Sequence, residues 1–302
     1  MSPRFAANAV LLAGAVVLSA CVPRGEPPAP PSTSPAPVIS PPVSIPFPGN
    51  PRTFHWEGEL EQGGWLRGQV PAGTVSARLG QQTLMLDAEG RFFAGLDRDA
   101  AATAVLAATL SHGRTVEQVL TVRPRAWRIE QVDAALRAGN TSEEFARRRP
   151  PELARISAAR AQRNEAAGWQ QRFAWPATGR ISGLFGAQRV YRGEPGSYHS
   201  GLDIAAGRGA PFIAPADGVV VLAAQEEFTL EGRLLIIDHG QGLTSAFLHA
   251  DSLAVTEGQR VVQGQLLGTV GATGRATGPH LHWGLVWQGA RMDPLLFLPP
   301  RP

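Results

Sequence analysis

The sequence predicts a mainly β chain, with an N-terminal β-sandwich, a helical connector and a C-terminal antiparallel β domain. Three observations carry that prediction. The 34 glycines and 26 prolines fall mostly between short apolar runs, the pattern of strands joined by tight turns. Helical periodicity is confined to one stretch near the middle of the chain. A length of 302 residues, 43% of them hydrophobic and 18% charged, is enough for about two packed domains. Arginine supplies every basic side chain, since the chain has no lysine, and the 28 basic against 25 acidic residues leave a net charge of only +3. That excess is too small to argue for a nucleic-acid partner, and Arg147-Arg148-Arg149 is read as a solvated face.

Residues 1–20 read as a signal peptide, with Arg4 in a positive n-region and "AVLLAGAVVLSA" as an apolar stretch too short to span a bilayer. The only cysteine, Cys21, follows, and "LSAC" resembles the lipobox of bacterial lipoproteins. The resemblance implies cleavage before Cys21 and its acylation, with a membrane partner reached through the N-terminal lipid. Val22 stands where an aspartate would retain such a protein at the inner membrane, so the implied address is the periplasmic face of the outer membrane. Residues 21–51, with "PPAPPSTSPAPVISPPVSIPFPGNP", are too rich in proline for a helix or a sheet ladder. They read as an extended tether, reaching roughly 90 Å at about 3.1 Å per residue.

From residue 52 to 126 the runs "HWEGELEQGGWLRGQV", "SARLGQQTLMLDAEGRFFAGL", "ATAVLAATL" and "TVEQVLTV" are β-prone and separated by turn residues such as Gln62-Gly63-Gly64 and Pro71-Ala72-Gly73. Such spacing predicts a small β-sandwich. His55 and His112 stand alone in it, so it positions or recognises something and carries no chemistry.

Residues 127–172 predict a helical connector of two helices. "TSEEF" offers Thr141 or Ser142 as N-cap with acidic residues behind it, and "PPELARISAARAQRNEAAG" places Pro151 in a first turn and Gly168 beyond the end. Residues 173–302 return to β, through "APFIAPADGVVVLAA", "RLLIIDHG", "TSAFLHA" and "QLLGTV", and hold five of the seven histidines.

Two motifs in this last region point to chemistry. In "GPHLHWG" a strand would put His280 and His282 on one face and Leu281 on the other. Both imidazoles then reach one metal, or one binds it while the other handles a proton. In "HSGLDIA", His199 and Asp203 lie on a loop or strand, because Gly201 and "DIA" disfavour a helix. A histidine, an aspartate and a second histidine form the three-ligand set of a catalytic zinc site with one position left open for water.

Taken in order, "YHSGLDIAA", "FLHA", "GRATGPHLHWGL" and "MDPLLFL" resemble the lysostaphin-like, LytM-type zinc metallo-endopeptidases of peptidoglycan, over about residues 175 to 298. The resemblance implies a compact antiparallel β fold of the duplicated hybrid motif type. It also implies Zn2+ as cofactor, peptidoglycan as partner, His199, Asp203 and His282 as metal ligands, and His249 and His280 as catalytic histidines. Phe247 stands where the family usually has a tyrosine, which removes a hydroxyl. The implied activity is endopeptidase cleavage of the D-alanyl-diaminopimelate cross-link by metal-activated water. The alternative is a non-catalytic module of the same fold that regulates amidases; such modules typically lack metal ligands, and all five positions are filled here.

Neighbouring features have plainer readings. His239 in "IDHGQG" is a turn or supporting residue. "GATGRATG" lacks the lysine of a phosphate loop and leads into a strand, so it reads as a groove-edge loop. Arg189 and Arg192, just before the first ligand, are either solvated or placed for substrate carboxylates.

Overall fold

A computed structural model describes residues 49, 51–136 and 142–301. The signal, Cys21, nearly all of the tether and the candidate cap Thr141 lie outside the described residues. The observed fold is mainly β, as predicted, with a single α-helix among the described residues.

Seven short strands form the N-terminal region: β1 (His55–Glu59), β2 (Trp65–Gln69), β3 (Thr74–Leu79), β4 (Gln82–Thr83), β5 (Arg91–Gly95), β6 (Thr103–Leu110) and β7 (Thr115–Thr121). They pair as one sheet of order β1-β2-β5 and another of order β4-β3-β6-β7. Alternation decides which side chains meet between them: on β7 Leu120 is buried while its neighbours Val119 and Thr121 are exposed. Leu66 and Phe92 from the first sheet join Leu106 and Leu120 from the second in one core. Each such side chain contributes about 1.5–3 kcal/mol by leaving water.

Segment 127–172 departs from the prediction. It contains a strand, β8 (Ile129–Val132), and one helix, α1 (Glu143–Ala161), in place of two helices. Ser142 caps α1 by accepting from the Phe145 N–H, and Pro150 and Pro151 lie inside it. An interior proline costs about 3 kcal/mol or more, so contacts on both sides of the pair must hold the helix together. Arg149 pairs with Glu231 at 2.6 Å. Buried Glu152 accepts from the Thr229 amide at 2.8 Å and its hydroxyl at 2.6 Å. Ile156 and Ala159 pack on Val221, Leu222 and Ala246. In the arginine run Arg147 and Arg148 are exposed, as a solvated face requires, and only Arg149 is tied down. Gly168 lies seven residues past the end of α1, too far to cap it, and its backbone touches the Asp217 carbonyl too closely for any Cβ.

The C-terminal region adds β9 (Arg180–Gly183), β10 (Gln188–Tyr191), β11 (Glu194–Pro195), β12 (Leu202–Ala205), β13 (Pro211–Ile213), β14 (Gly218–Ala223), β15 (Arg233–Asp238), β16 (Leu243–Leu253), β17 (Arg260–Val261), β18 (Leu266–Val270), β19 (Leu281–Trp287) and β20 (Ala290–Met292). The main path of its sheet runs β17-β14-β15-β16-β19-β12-β9. Central β19 is buried along its whole length, between antiparallel neighbours β16 and β12. The β8 strand pairs in parallel with β10.

The sandwich and the C-terminal sheet share one hydrophobic cluster. At the seam Trp65 lies 5.3 Å from Phe297, ring to ring, and its Nε1–H donates to the Leu296 carbonyl at 2.9 Å. Buried Arg67 donates to the carbonyls of Trp169 and Gln171, both at 3.2 Å. Among the described residues no helix is long and apolar enough to cross a membrane.

Candidate active site

Strand register brings the first two functional side chains together. Asp203 on β12 and His282 on β19 are directly opposed partners, so their side chains share a face, and His282 Nδ1 lies 2.9 Å from Asp203 Oδ1. The loop before β12 adds His199, whose Nε2 is 2.9 Å from the same oxygen and 3.1 Å from His282 Nδ1. These three residues could hold a metal ion.

Hydrogen-bond accounting tests whether they fit one. His199 Nδ1 lies 2.9 Å from the Leu184 carbonyl, which can only accept, so that nitrogen carries the proton. In neutral His199 the Nε2 lone pair then faces a carboxylate oxygen and a second imidazole nitrogen, a cluster that a shared proton or a metal ion satisfies. Titration agrees. Burial lowers the His199 pKa, but the hydrogen bond and charge of Asp203 and the Leu184 carbonyl outweigh it and raise it above the ordinary 6.5. Burial pushes Asp203 up, yet the two histidines hold it well below the usual carboxylate range. His282 is pulled down, chiefly by burial, which leaves a lone pair free. Two imidazole nitrogens and a carboxylate oxygen are the donor set of an open zinc site.

The other two histidines stand beside this triad. Between Leu235↔Phe247 and Arg233↔Ala250 the register of β15 and β16 slips by one residue, and His249 sits in that bulge at φ 65°. A left-handed histidine is rare, and bulges of this kind re-aim side chains at functional sites. The Glu231 carbonyl holds the strained unit by accepting the His249 N–H at 2.8 Å. His249 Nδ1 lies 2.8 Å from the Thr273 carbonyl, and His280 Nδ1 lies 2.8 Å from the Gly278 carbonyl. Both protons are thereby fixed on Nδ1, leaving Nε2 as the basic atom. The two rings are 4.9 Å apart, and His280 Nε2 approaches Asp203 Oδ1 to 3.8 Å. Burial drives His249 down to about 4, so it is neutral near pH 7.

The five residues singled out in the sequence thus converge, and the HxH pair divides: His282 joins the triad, and His280 stays outside it. The loop "GATGRATG" lies at the site's edge, where the Thr273 and Gly278 carbonyls orient the two outer histidines. Phe247 is fully buried, with its ring 6.4 Å from Trp283 and 5.6 Å from Phe212 in the core, so it takes no part in the site. Arg189 and Arg192 are paired with Glu130 at 2.9 Å and Asp133 at 2.8 Å. That pairing withdraws them as carboxylate binders. His239 is a buried core residue, with Nδ1 2.7 Å from the Asp217 carbonyl and Nε2 2.7 Å from Ser245 Oγ. Sequence reasoning missed Arg98, whose guanidinium donates to the Gly186 carbonyl at 3.1 Å beside the loop that carries His199.

Three side chains that could hold a metal ion, with two further histidines beside them, thus sit together on an antiparallel sheet. Residues 197–294 match the profile of peptidase family M23, and the chain carries a domain of that family. Among its relatives, the peptidoglycan DD-endopeptidase ShyA of Vibrio cholerae is 37% identical over 123 residues, which are 39% of this chain and 27% of that protein. The murein hydrolase activator NlpD of Escherichia coli is 38% identical over 127 residues, which are 42% of this chain and 31% of NlpD. The chain therefore spans less than a third of either relative's length. A crystal structure of a Pseudomonas aeruginosa protein assigned to peptidase M23 superposes with a TM-score of 0.62 at 28% identity, covering 80% of this chain and 95% of that one. That likeness extends well beyond residues 197–294, so it includes much of the N-terminal region.

Proposed function

We propose that this chain is a zinc-dependent endopeptidase that hydrolyses peptide cross-links of peptidoglycan, at the D-alanyl-diaminopimelate bond. The observation that carries the proposal is the convergence of the lone pairs of His199, Asp203 and His282 on one point, beside two histidines whose Nε2 atoms are free to move protons. His199, Asp203 and His282 would hold a zinc ion, which would supply Lewis acidity toward the scissile carbonyl and lower the pKa of water to about 7. His280, whose Nε2 lies nearer the triad's carboxylate, takes the proton of the attacking water. His249 then stabilises charge developing on the carbonyl oxygen or returns a proton to the leaving amine. The Thr273 and Gly278 carbonyls keep both rings in the tautomer this exchange requires.

A second reading, activation of an amidase without catalysis, is favoured by the similarity to NlpD. The filled set of ligands and histidines favours the enzyme. Acylation of Cys21 would place the domain beneath the outer membrane, with the wall inside the tether's reach. Purified sacculi and muropeptide dimers incubated with zinc-loaded protein decide between the readings, by mass spectrometry of the products. Conversion of dimers to monomers with a new free amine on diaminopimelate is expected. Intact dimers, with cleavage only of a glycan-peptide amide bond or of pentaglycine, or only stimulation of an added amidase, would overturn it.

A further inference from the structure

His249 sits in the β16 bulge at φ 65°, and two hydrogen bonds hold it there: its N–H to the Glu231 carbonyl and its Nδ1–H to the Thr273 carbonyl, both at 2.8 Å. A non-glycine residue in the left-handed region is strained and stays there only where its surroundings over-determine it. Whatever fixes these two carbonyls therefore aims the ring.

Both carbonyls belong to one packed unit. Residues 226–232, between β14 and β15, close on themselves through Phe228 and Gly232, whose backbones exchange hydrogen bonds at 2.9 and 3.0 Å. This turn is wedged against the loop that carries Thr273. A Cβ on Gly232 would collide with Thr273, and one on Gly274 would collide with the Gly232 backbone. The Arg275 N–H donates to the Leu230 carbonyl and the Arg233 N–H to Thr273 Oγ1, both at 2.9 Å. A shift of the turn thus displaces both partners of His249 together.

The outer side of the turn is held by α1. Arg149, Glu152 and Arg155 are spaced by three and lie along one stripe of the helix. Arg149 grips the Glu231 carboxylate with two prongs, Nη1 to Oε2 at 2.6 Å and Nη2 to Oε1 at 2.8 Å. Their side chains are only 16% and 15% exposed, and a two-pronged pair of this kind fixes orientation as well as distance. Glu152 accepts from the Thr229 amide and hydroxyl. Arg155 pairs with Glu226 and lies over the Phe228 ring at 5.1 Å. The apolar side chains Ile156 and Ala159 already cover the sheet, so this polar stripe does something that packing alone does not require.

We propose that α1 is a clamp that aims His249, with Arg149 and Glu152 as positioning residues. They touch nothing that reacts, and act through the turn 226–232 on the two hydrogen bonds of His249. The assignment rests on the endopeptidase reading for what His249 does, and deepens it by making turnover depend on a helix that lies outside the sheet.

The test uses the full chain with Arg149→Gln, Glu231→Gln and Arg149→Lys, the first two also combined with His249→Ala. On soluble muropeptide dimers Arg149→Gln and Glu231→Gln should each lower kcat about tenfold, because a small misplacement of a reacting group costs at least that much. KM should change less than about twofold, and zinc content should stay the same. Arg149→Lys, which keeps the charge and loses the fork, should recover part of the loss. In the His249→Ala background the same substitutions should cost less than about twofold, since a residue that acts through His249 has nothing left to position. Unchanged kcat in both single variants, or equal fold losses with and without His249, overturns the clamp. Backbone amide exchange needs no turnover. The His249 N–H should exchange about tenfold faster in Arg149→Gln than in wild type, with the amides of β19 unchanged. If wild type cleaves nothing, the endopeptidase reading fails and exchange alone decides: faster exchange at His249 keeps the clamp, and unchanged exchange overturns it. Should Arg149→Gln not fold, Glu231→Gln cuts the same pair from the other side and gives the same outcomes.

Discussion

The two faces of strand β19 share a backbone and differ in everything placed opposite them. One face turns Trp283, Leu285 and Trp287 into the core, where the Trp283 ring stacks 6.4 Å from Phe247 and its Nε1–H donates to Ser245 Oγ at 3.1 Å. The other face puts His282 in the triad, Gly284 under the Ser200 carbonyl and Val286 beside α1. Alternation of side chains thus lets seven consecutive residues serve packing and chemistry without competing for space. If the comparison is right, damage to one face should appear as lost metal or turnover, and damage to the other as lost stability.

The largest effect should come from the chemical face. Asp203→Ala and His282→Ala are expected to remove both the roughly one zinc per chain and all measurable hydrolysis, because the remaining ligands cannot close the site. His249→Ala and His280→Ala should keep the zinc and lower kcat by about a hundredfold or more, the usual scale of a lost general acid or base. Metal analysis beside turnover separates the two groups. Full zinc in Asp203→Ala, or loss of zinc in His280→Ala, would break the division of the pair.

On the packing face Trp283→Ala should cost about 3–5 kcal/mol in urea unfolding, as truncations of buried aromatic residues do, while the folded protein still takes up zinc. A loss under about 1 kcal/mol would show that the core collapses to fill the space. A smaller effect follows from His239, which is buried behind the same tryptophan and holds Ser245. Burial depresses its pKa from 6.5 to about 4, with the Asp217 carbonyl opposing. The folded state therefore takes up this proton later than the unfolded chain. Stability from this group is complete above about pH 6.5 and declines as pH falls toward 4, by up to about 3 kcal/mol. Wild type should lose that much more than His239→Gln between pH 7 and pH 4, and parallel curves would contradict the assignment.

How much of this was legible from the sequence follows from the same two faces. Alternation announced β19, and the short spacings of "HSGLD" and "HLH" kept four of the five site histidines and carboxylates within two motifs, where side-chain type alone points to a metal. His249 was reached by resemblance, since nothing local marks its bulge: the slip in register is a property of two strands. A Pro-Pro pair splits α1 in two by a local rule, and the Arg149 and Glu152 contacts that override it come from residues about 80 positions away. The strand β8 was hidden because its partner, β10, lies 59 residues on. The arginines mislead in the same way. Arg189 and Arg192, close in sequence to the first ligand, are paired with Glu130 and Asp133 through that hidden pairing.

The smallest expected effect asks whether the sandwich reaches the triad. Arg98 lies in the loop after β5, with its guanidinium 5.2 Å from the Trp127 ring and 4.7 Å from Tyr198. It grips the Gly186 carbonyl, the Gly186 N–H donates to the His199 carbonyl at 2.8 Å, and the His199 N–H donates to the Ala187 carbonyl at 2.8 Å. The Leu184 carbonyl that sets the His199 tautomer belongs to the same loop. Arg98 is thus a positioning residue: it fixes the backbone that aims one metal ligand and touches nothing that reacts. Supports of this kind typically change metal affinity by 10- to 100-fold. Being two steps removed, Arg98→Gln should weaken zinc retention against a competing chelator by about tenfold, with kcat of the zinc-saturated protein nearly unchanged. Arg67→Gln, which cuts the separate 3.2 Å bonds to the Trp169 and Gln171 carbonyls at the same seam, is the control and should leave zinc affinity alone. If both variants lower stability equally and neither changes zinc affinity, the seam only holds the two regions together, and the triad is set by the C-terminal sheet alone.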